Sequence, residues 1–306
     1  MDRRAWTLLL ILGAIWGASY LFIKIGVRDL SPAMVAWARI ALAALVLVPL
    51  AQRSGALAAA RGSGLGWLCA VGVIQVAAPF FLIGAAEEEI DSGLAGILVA
   101  SAPLFTALLA IRFDQEERSS GWRLVGILLG LAGVAVLLGV DLNGSTAELL
   151  GGAAVLLAGL GYAVGGFLVK RRLAAVPPIG LAAWVMLASS LVLLPVALAT
   201  APGSAPGIGP VAAVAVLGVL GTGIAFAIFY DLMGSVGPAR TFIVTYLAPG
   251  FAVAYGALFL DELITASTIA GLVLILGGSY LAAGGTARSA EPVPARDRAE
   301  PAKALG

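Results

Sequence analysis

Apolar residues in this chain come in blocks of about 20, the helix length that crosses the hydrocarbon of a bilayer. Ten blocks follow one another: Ala5–Val27, Pro32–Gln52, Gly66–Ala86, Ser92–Arg112, Gly121–Val140, Leu149–Arg171, Pro178–Thr200, Pro210–Met233, Pro238–Leu260 and Thr265–Gly284. Polar residues lie between the blocks and do not alternate within them, so helices rather than barrel strands are predicted. The expected fold class is an all-α membrane protein with ten transmembrane helices. The first block is too long for a signal peptide and is followed by nine more, so it reads as a span. The tail, residues 287–306, is rich in Pro, Ala and charge and is expected to be disordered.

Much of the pattern is written twice. Ala248-Pro249 repeats Ala102-Pro103, Phe251 repeats Phe105 and Phe259 repeats Phe113, all at a shift of 146. An extra residue in the first copy, around Phe113-Asp114-Gln115, lowers the shift to 145, and Glu262, Gly271 and Gly278 then match Glu117, Gly126 and Gly133. Upstream, Lys24 maps to Lys170, Pro32 to Pro178, Gly72 to Gly218 and Phe80 to Phe226. A match of this extent indicates two copies of one unit. We divide the chain into a first repeat at 1–146, a second at 147–286 and the tail. Each repeat holds five spans, an odd number, so the second copy is inverted relative to the first. Inverted repeats are the signature of secondary transporters, whose substrate site lies near the midplane at the repeat interface.

Composition narrows the chemistry. Charged residues are 11% of the chain, against roughly a quarter in soluble domains, so the solvent for most of the surface is lipid. Net charge of +1 argues against a nucleic-acid partner. There is no histidine, which removes Ser-His-Asp catalysis, histidine metal sites and imidazole relays together. Cys69 is the single cysteine, so neither an intrachain disulfide nor a cysteine zinc site can form, and it reads as packing. No metal or cofactor is expected. An intramembrane enzyme would need a nucleophile, base or metal cluster at one depth, and none is visible. No G-x-x-x-x-G-K-[ST] loop exists, which excludes an ATP-driven pump made of this chain alone.

Orientation follows from Lys and Arg in the loops. With the N-terminus inside, Arg3, Arg4, Arg53, Arg61, Arg118, Arg123, Lys170, Arg171, Arg172 and the basic tail are cytoplasmic. The outer loops then hold Arg28 and the acids Glu87, Glu88, Glu89, Asp91, Asp141, Asp261 and Glu262. Both termini are expected in the cytoplasm.

These residues carry a resemblance. Trp16-Gly17-Ala18-Ser19-Tyr20 with Lys24, Arg39 in the second span, Ser101-Ala102-Pro103-Leu104-Phe105 with Glu117, Gly126 and Gly133, and then Ala248-Pro249, Glu262, Gly271 and Gly278, resemble the drug/metabolite transporter superfamily in its EamA-like ten-helix branch. The likeness covers about residues 5–285; the ordered set in two copies is specific, though no single motif is. The inserted residue leaves Asp114 and Glu116 beside Glu117 as rivals for the family's acidic position. The resemblance implies export of small metabolites across the inner membrane, amino acids being one recurrent substrate class, and it adds Ser19 and Tyr20 to the candidate substrate residues.

Counting to the centre of each span supplies the others. Trp16, Gln75, Ser101, Tyr162, Thr222, Thr245 and Tyr246 fall near mid-depth, with Pro103 and Pro249 beside them. Polar groups at that depth must face protein or a water cavity. Spans one, three, four, six, eight and nine are therefore expected around a central cavity, with five and ten outside. Trp16 and Tyr162 differ by 146 and should face each other across the pseudo-symmetry axis. Ser101, Thr222 and Thr245 could equally bond to neighbouring helices. Gln75 needs a partner either way. The prolines either bend helices or serve gates. The spacings Gly13/Gly17, Gly126/Gly130 and Gly161/Gly165 read as close helix contacts. Arg39 lies deep in span two; it either pairs with Glu87–Glu89 or Asp29 or holds a substrate carboxylate in a bidentate bond. Lys24 is expected to snorkel, and Asp231 to cap or pair with Arg240.

The acids lie towards the ends of the drawn spans, so facilitated movement with weak or absent proton coupling is expected. Asp231, or Glu87 if span three runs longer than drawn, is where that expectation could fail. For topology, a single cysteine at position 90 in a Cys69→Ala background should react with an impermeant reagent on intact cells. Reaction only after lysis would overturn the orientation.

Overall fold

The computed structural model describes residues 1–62, 64–113, 121–141 and 145–283. Among these residues every regular element is helical. The spans are α1 (Arg3–Gly26), α2 (Pro32–Arg53), α3 (Leu65–Glu89), α4 (Ser92–Ile111), α5 (Gly121–Gly139), α6 (Thr146–Arg172), α7 (Pro178–Ala199), α8 (Ile208–Val236), α9 (Val244–Phe259) and α10 (Ala266–Ala282). Eight are long and apolar enough to cross a bilayer, and α9 and α10 are shorter apolar helices. The inserted segment with Asp114, Glu116 and Glu117, and the tail at 287–306, lie outside the described residues.

Several spans begin where the local chemistry requires. Asp2 accepts from Ala5 N at 2.8 Å to start α1. Ser31 accepts from Met34 N at 3.2 Å, with Pro32 at the first helical position, to start α2. Thr265 and Thr268 form a reciprocal capping box at the head of α10. Leu45, Trp122, Leu191, Ile208 and Leu258 point outward, a belt that suits hydrocarbon and its interface.

The packing obeys the repeat. α1 lies against α8 and α9, and its repeat mate α6 lies against α3 and α4. α2 packs on its own mate α7, and α5 packs chiefly on its mate α10, leaving that pair beside the bundle as expected. Small residues permit these approaches. A Cβ at Gly17 would meet Phe251 and Ala248 of α9, one at Gly165 would meet Gln75 of α3, and one at Gly126 would meet the α10 backbone. The three glycine spacings are thus helix contacts.

The repeats differ where helices are interrupted. α4 is broken at Ala100-Ser101. Ala100 N and Ser101 N bond three residues back, to Ile97 O and Leu98 O, and Pro103 has no N–H to continue the α ladder. The ninth span, expected as one helix from Pro238 to Leu260, is instead Pro238–Thr241, a turn at Phe242-Ile243, and α9. Pro249 sits inside unbroken helix. The two breaks are therefore not repeat mates: 242 − 146 = 96, whereas α4 breaks at 100.

α3 runs to Glu89, three residues beyond the expected end at Ala86 (89 − 86 = 3). A cation explains the extension. Lys24 Nζ donates to Glu87 O at 2.6 Å and Ile90 O at 2.9 Å, satisfying carbonyls at the negative end of the helix dipole. Lys24 is therefore a helix-capping group and does not snorkel. Ile90 is buried, so an exposed topology reporter belongs at Glu89.

The α5–α10 contact yields a sharp test. A Cβ at Gly278 would meet the backbone of Gly130 and Gly126, whereas one at Gly277 would meet nothing within 4 Å. Gly278→Ala should lower the thermal unfolding midpoint by the equivalent of about 1–3 kcal/mol, a usual overpacking cost. Gly277→Ala should leave it unchanged or slightly raised, since Ala is the better helix former. Equal midpoints for the two would contradict this packing.

Candidate functional site

Two π-helical turns set the site. One spans Gly72–Ala77 in α3 and the other Val219–Ile224 in α8. They recur at a shift of 147 (219 − 72 = 147), so the widened turn belongs to the repeat unit. Such turns are frequent at functional sites. The first carries Gln75 and the second Thr222.

Arg39 projects from α2 onto the second turn. It is buried, and its Nε donates to Thr222 Oγ1 at 2.7 Å. The Thr222 hydroxyl in turn donates to Leu217 O at 3.0 Å, the carbonyl five residues back. The guanidinium carbon lies 3.8 Å from the centroid of the Phe80 ring. A desolvated cation over an aromatic face is worth about 2 kcal/mol or more. The Nη amino groups have no hydrogen-bond partner among the described residues. Neither pairing expected for Arg39 forms: Asp29 accepts from Gly207 N at 2.8 Å, and Glu87 has no bond on either carboxyl oxygen.

Tyr20 of α1, Tyr162 of α6 and Glu87 of α3 are the groups whose charge or dipole acts on Arg39. Tyr20 lies against Gly96 of α4, where a Cβ would meet its ring at 3.2 Å. Ser19 is buried, bonds to Ile15 O at 3.3 Å, and faces Gly221 of the second π turn. Ser19, Tyr20, Arg39, Tyr162 and Thr222 are thus gathered in one region.

The remaining candidates are elsewhere. Trp16 packs against Phe226 and Phe229 of α8, with ring centroids at 6.0 Å and 5.3 Å, and Tyr230 stacks on Phe226. No ring contact joins Trp16 to Tyr162 among the described residues, so the expected facing pair is replaced by an aromatic box. Gln75 packs on Gly165 and Ser101 on Gly159, both along α6. The Ser101 hydroxyl is buried without a bond. Thr245 bonds within its own chain turn to Phe242 O at 2.7 Å, and Tyr246 meets Tyr280 of α10 edge-on. Hollows of about 250 Å³ and about 270 Å³ lie at opposite ends of the bundle, and neither is lined by the ten candidates.

The residue pattern left three features unread. Phe80 served only as a repeat marker, yet Phe80, Ile83 and Glu87 stand at helical spacings that put them on one face of α3. Glu87 is expected in a loop but lies inside α3, two residues from its end at Glu89, and is fully buried there. Glu262 follows α9 and accepts from Ser92 N at 2.7 Å and Gly93 N at 2.9 Å, capping α4 across the repeats. Asp231 pairs with Arg4 at 3.1 Å and not with Arg240.

A family model described as the EamA-like transporter family matches residues 4–139 and again 149–284. The chain belongs to the EamA-like transporter family. As a member of that family it is a membrane transporter and not an enzyme. The chain is 28% identical over 292 residues to the "Probable amino-acid metabolite efflux pump" of Escherichia coli strain K12, covering 92% of this chain and 95% of that one. It is 30% identical over 254 residues to the "Uncharacterized inner membrane transporter YedA" of the same strain, covering 79% and 78%. A solved structure aligns with a TM-score of 0.64 at 21% identity, covering 94% of this chain and all of that one, which shows the fold. Two matches of the EamA-like model, one per repeat, fit the doubled architecture described above.

Proposed function

We propose that this transporter exports amino acids or similar small polar metabolites across the inner membrane, by alternating access between the repeats, with both termini in the cytoplasm. One observation carries the reading: a buried guanidinium with no carboxylate in ion-pair range among the described residues. Buried charges are ordinarily paired. Thr222 and Phe80 fix the plane of Arg39 and leave the Nη edge for a planar anion, and a carboxylate fits that fork. The same charge disfavours cationic drugs. The aromatic box of Trp16, Phe226 and Phe229 offers an apolar surface for a side chain. The printed name of one relative, an amino-acid metabolite efflux pump, points to the same class.

The end holding Glu87–Asp91 and Glu262 is the outer face in this reading, as the basic-residue asymmetry implies. Lys24 and Glu262 hold the turn between α3 and α4 there from opposite repeats. The unequal breaks in the fourth and ninth spans support repeats held in different shapes, as alternating access needs. Pro103, beside the first break, and Pro249 act as gate positions.

Counterflow in proteoliposomes over amino acids, sugars and cationic drugs tests the substrate class. Arg39→Lys should keep fold and yield but lower carboxylate counterflow by about 10-fold or more, since a point charge replaces a fork. Normal counterflow in Arg39→Lys together with misfolding of Arg39→Ala would make the arginine a structural group and sink the reading.

A further inference from the structure

Glu87 is left without a task by the transport reading. Its side chain is fully buried, and neither carboxyl oxygen has a hydrogen-bond partner. A carboxylate that stays ionised out of water is normally paired or bonded. Two cations act on Glu87 from neighbouring helices, Lys24 of α1 and Arg39 of α2, and neither is bonded to its carboxyl group. The Lys24 ammonium is engaged by the carbonyls of Glu87 and Ile90. Arg39 is engaged by Thr222 and Phe80. The third charge acting on it is Glu262, of the same sign, seated on the amides of Ser92 and Gly93. Towards this end of the packed elements the other titratable groups are Tyr20 of α1, Glu148 and Tyr162 of α6, Glu88 and Glu89 on α3 itself, and Asp91 in the turn, while Arg3 and Arg4 of α1, Arg53 of α2, Cys69 of α3 and Lys170, Arg171 and Arg172 of α6 stand towards the other end; Ser92–Val99 of α4 contributes none. The Lys24 backbone amide acts on the carboxyl group without reaching bonding geometry, so the bonds an anion would need are not made, whereas a neutral acid needs far fewer.

We propose that Glu87 is a proton-binding site built into the outer gate. Its carboxyl group carries a proton while Lys24 and Glu262 hold the turn between α3 and α4, and it releases that proton to external water when the hold is broken. The step is a simple dissociation: the carboxylic acid becomes a carboxylate, and the proton goes to solvent. On release, Lys24 leaves the two carbonyls and becomes available to the new carboxylate, which favours the open arrangement. The sign follows directly. The closed state needs the neutral acid and the open state favours the anion, so raising external pH shifts the gate towards open and lowering it shifts the gate towards closed. This rests on the transporter reading and on its assignment of the outer face.

The test uses full-length protein in a Cys69→Ala background, with Val253→Cys as reporter. Val253 is buried against Gly93, beside the Glu262 contact and at the edge of the hollow at this end, and a cysteine is smaller than the valine it replaces. An impermeant thiol reagent is applied to intact cells from acid to neutral external pH. Rates are normalised to the exposed position Glu89→Cys, which removes the pH dependence of the thiol itself. Labelling at 253 should rise several-fold with pH when Glu87 is present, and should stay slow and flat in Glu87→Gln, a permanently neutral isostere. The infrared spectrum of the purified parent should show the carbonyl stretch of a buried neutral carboxylic acid, and Glu87→Gln should lack it. A flat profile in the parent, an unchanged profile in Glu87→Gln, or absence of that band from the parent overturns the proposal. Amino-acid counterflow on the same proteins keeps the two claims separate. A parent without counterflow but with pH-dependent labelling refutes the transport reading and supports the proton site. An active parent with flat labelling refutes the proton site alone.

Discussion

A guanidinium buried without a carboxylate is the constraint on which the rest of this molecule depends. Removing Arg39 from water is costly unless something replaces its hydration. The protein replaces part of it, with the Thr222 hydroxyl and the Phe80 ring, from α8 and α3 respectively. The π turn in α8 matters here, because it lets Thr222 bond to Leu217 O and still accept from Arg39. Three helices from both repeats are thereby committed to one charge, and a planar edge of that charge is left over. In the proposed reading, an anion that arrives there completes the solvation of Arg39 and gives substrate binding its driving force.

The second organising feature is the hold on the turn between α3 and α4. It joins a lysine of the first repeat to carbonyls at the end of α3 and a glutamate of the second to amides at the start of α4. Each ion meets the helix end whose dipole favours it, the cation at a C-terminus and the anion at an N-terminus. Such contacts need no side-chain partner of opposite charge. They leave Glu87, between them, without a bond of its own. Backbone groups at the gate are satisfied while its one fully buried acid is not, and this imbalance makes the closed arrangement sensitive to protonation.

The repeat, the ten spans and the separate α5–α10 pair were legible because they rest on periodicity and on glycines, which mark where helices approach. Lys24 and Glu262 were visible as residues but not as contacts, since each acts on backbone in a distant segment. The end of α3 was misjudged because hydropathy treats Glu87–Glu89 as loop, while the helix continues under the Lys24 cap. Counting to mid-span picked out Tyr162 and Thr222, the resemblance added Ser19 and Tyr20, and the structure places these four near Arg39. Counting also admitted Thr245, which bonds within its own turn, and Tyr246, which meets Tyr280 of α10. Depth can be read from a sequence by counting; facing requires the breaks and π turns, which change the helical phase and carry no compositional mark.

The account stands on Arg39 receiving a substrate carboxylate. Ligand-induced thermal stabilisation measures this directly, because a ligand that binds the folded state raises its unfolding midpoint by mass action. Purified protein should be stabilised in a dose-dependent way by one or more amino acids and not by the matching amino-acid amides, which keep the side chain and lose the anion. Equal stabilisation by an amino acid and its amide would show that the carboxylate is not what the buried arginine recognises, and would contradict the account.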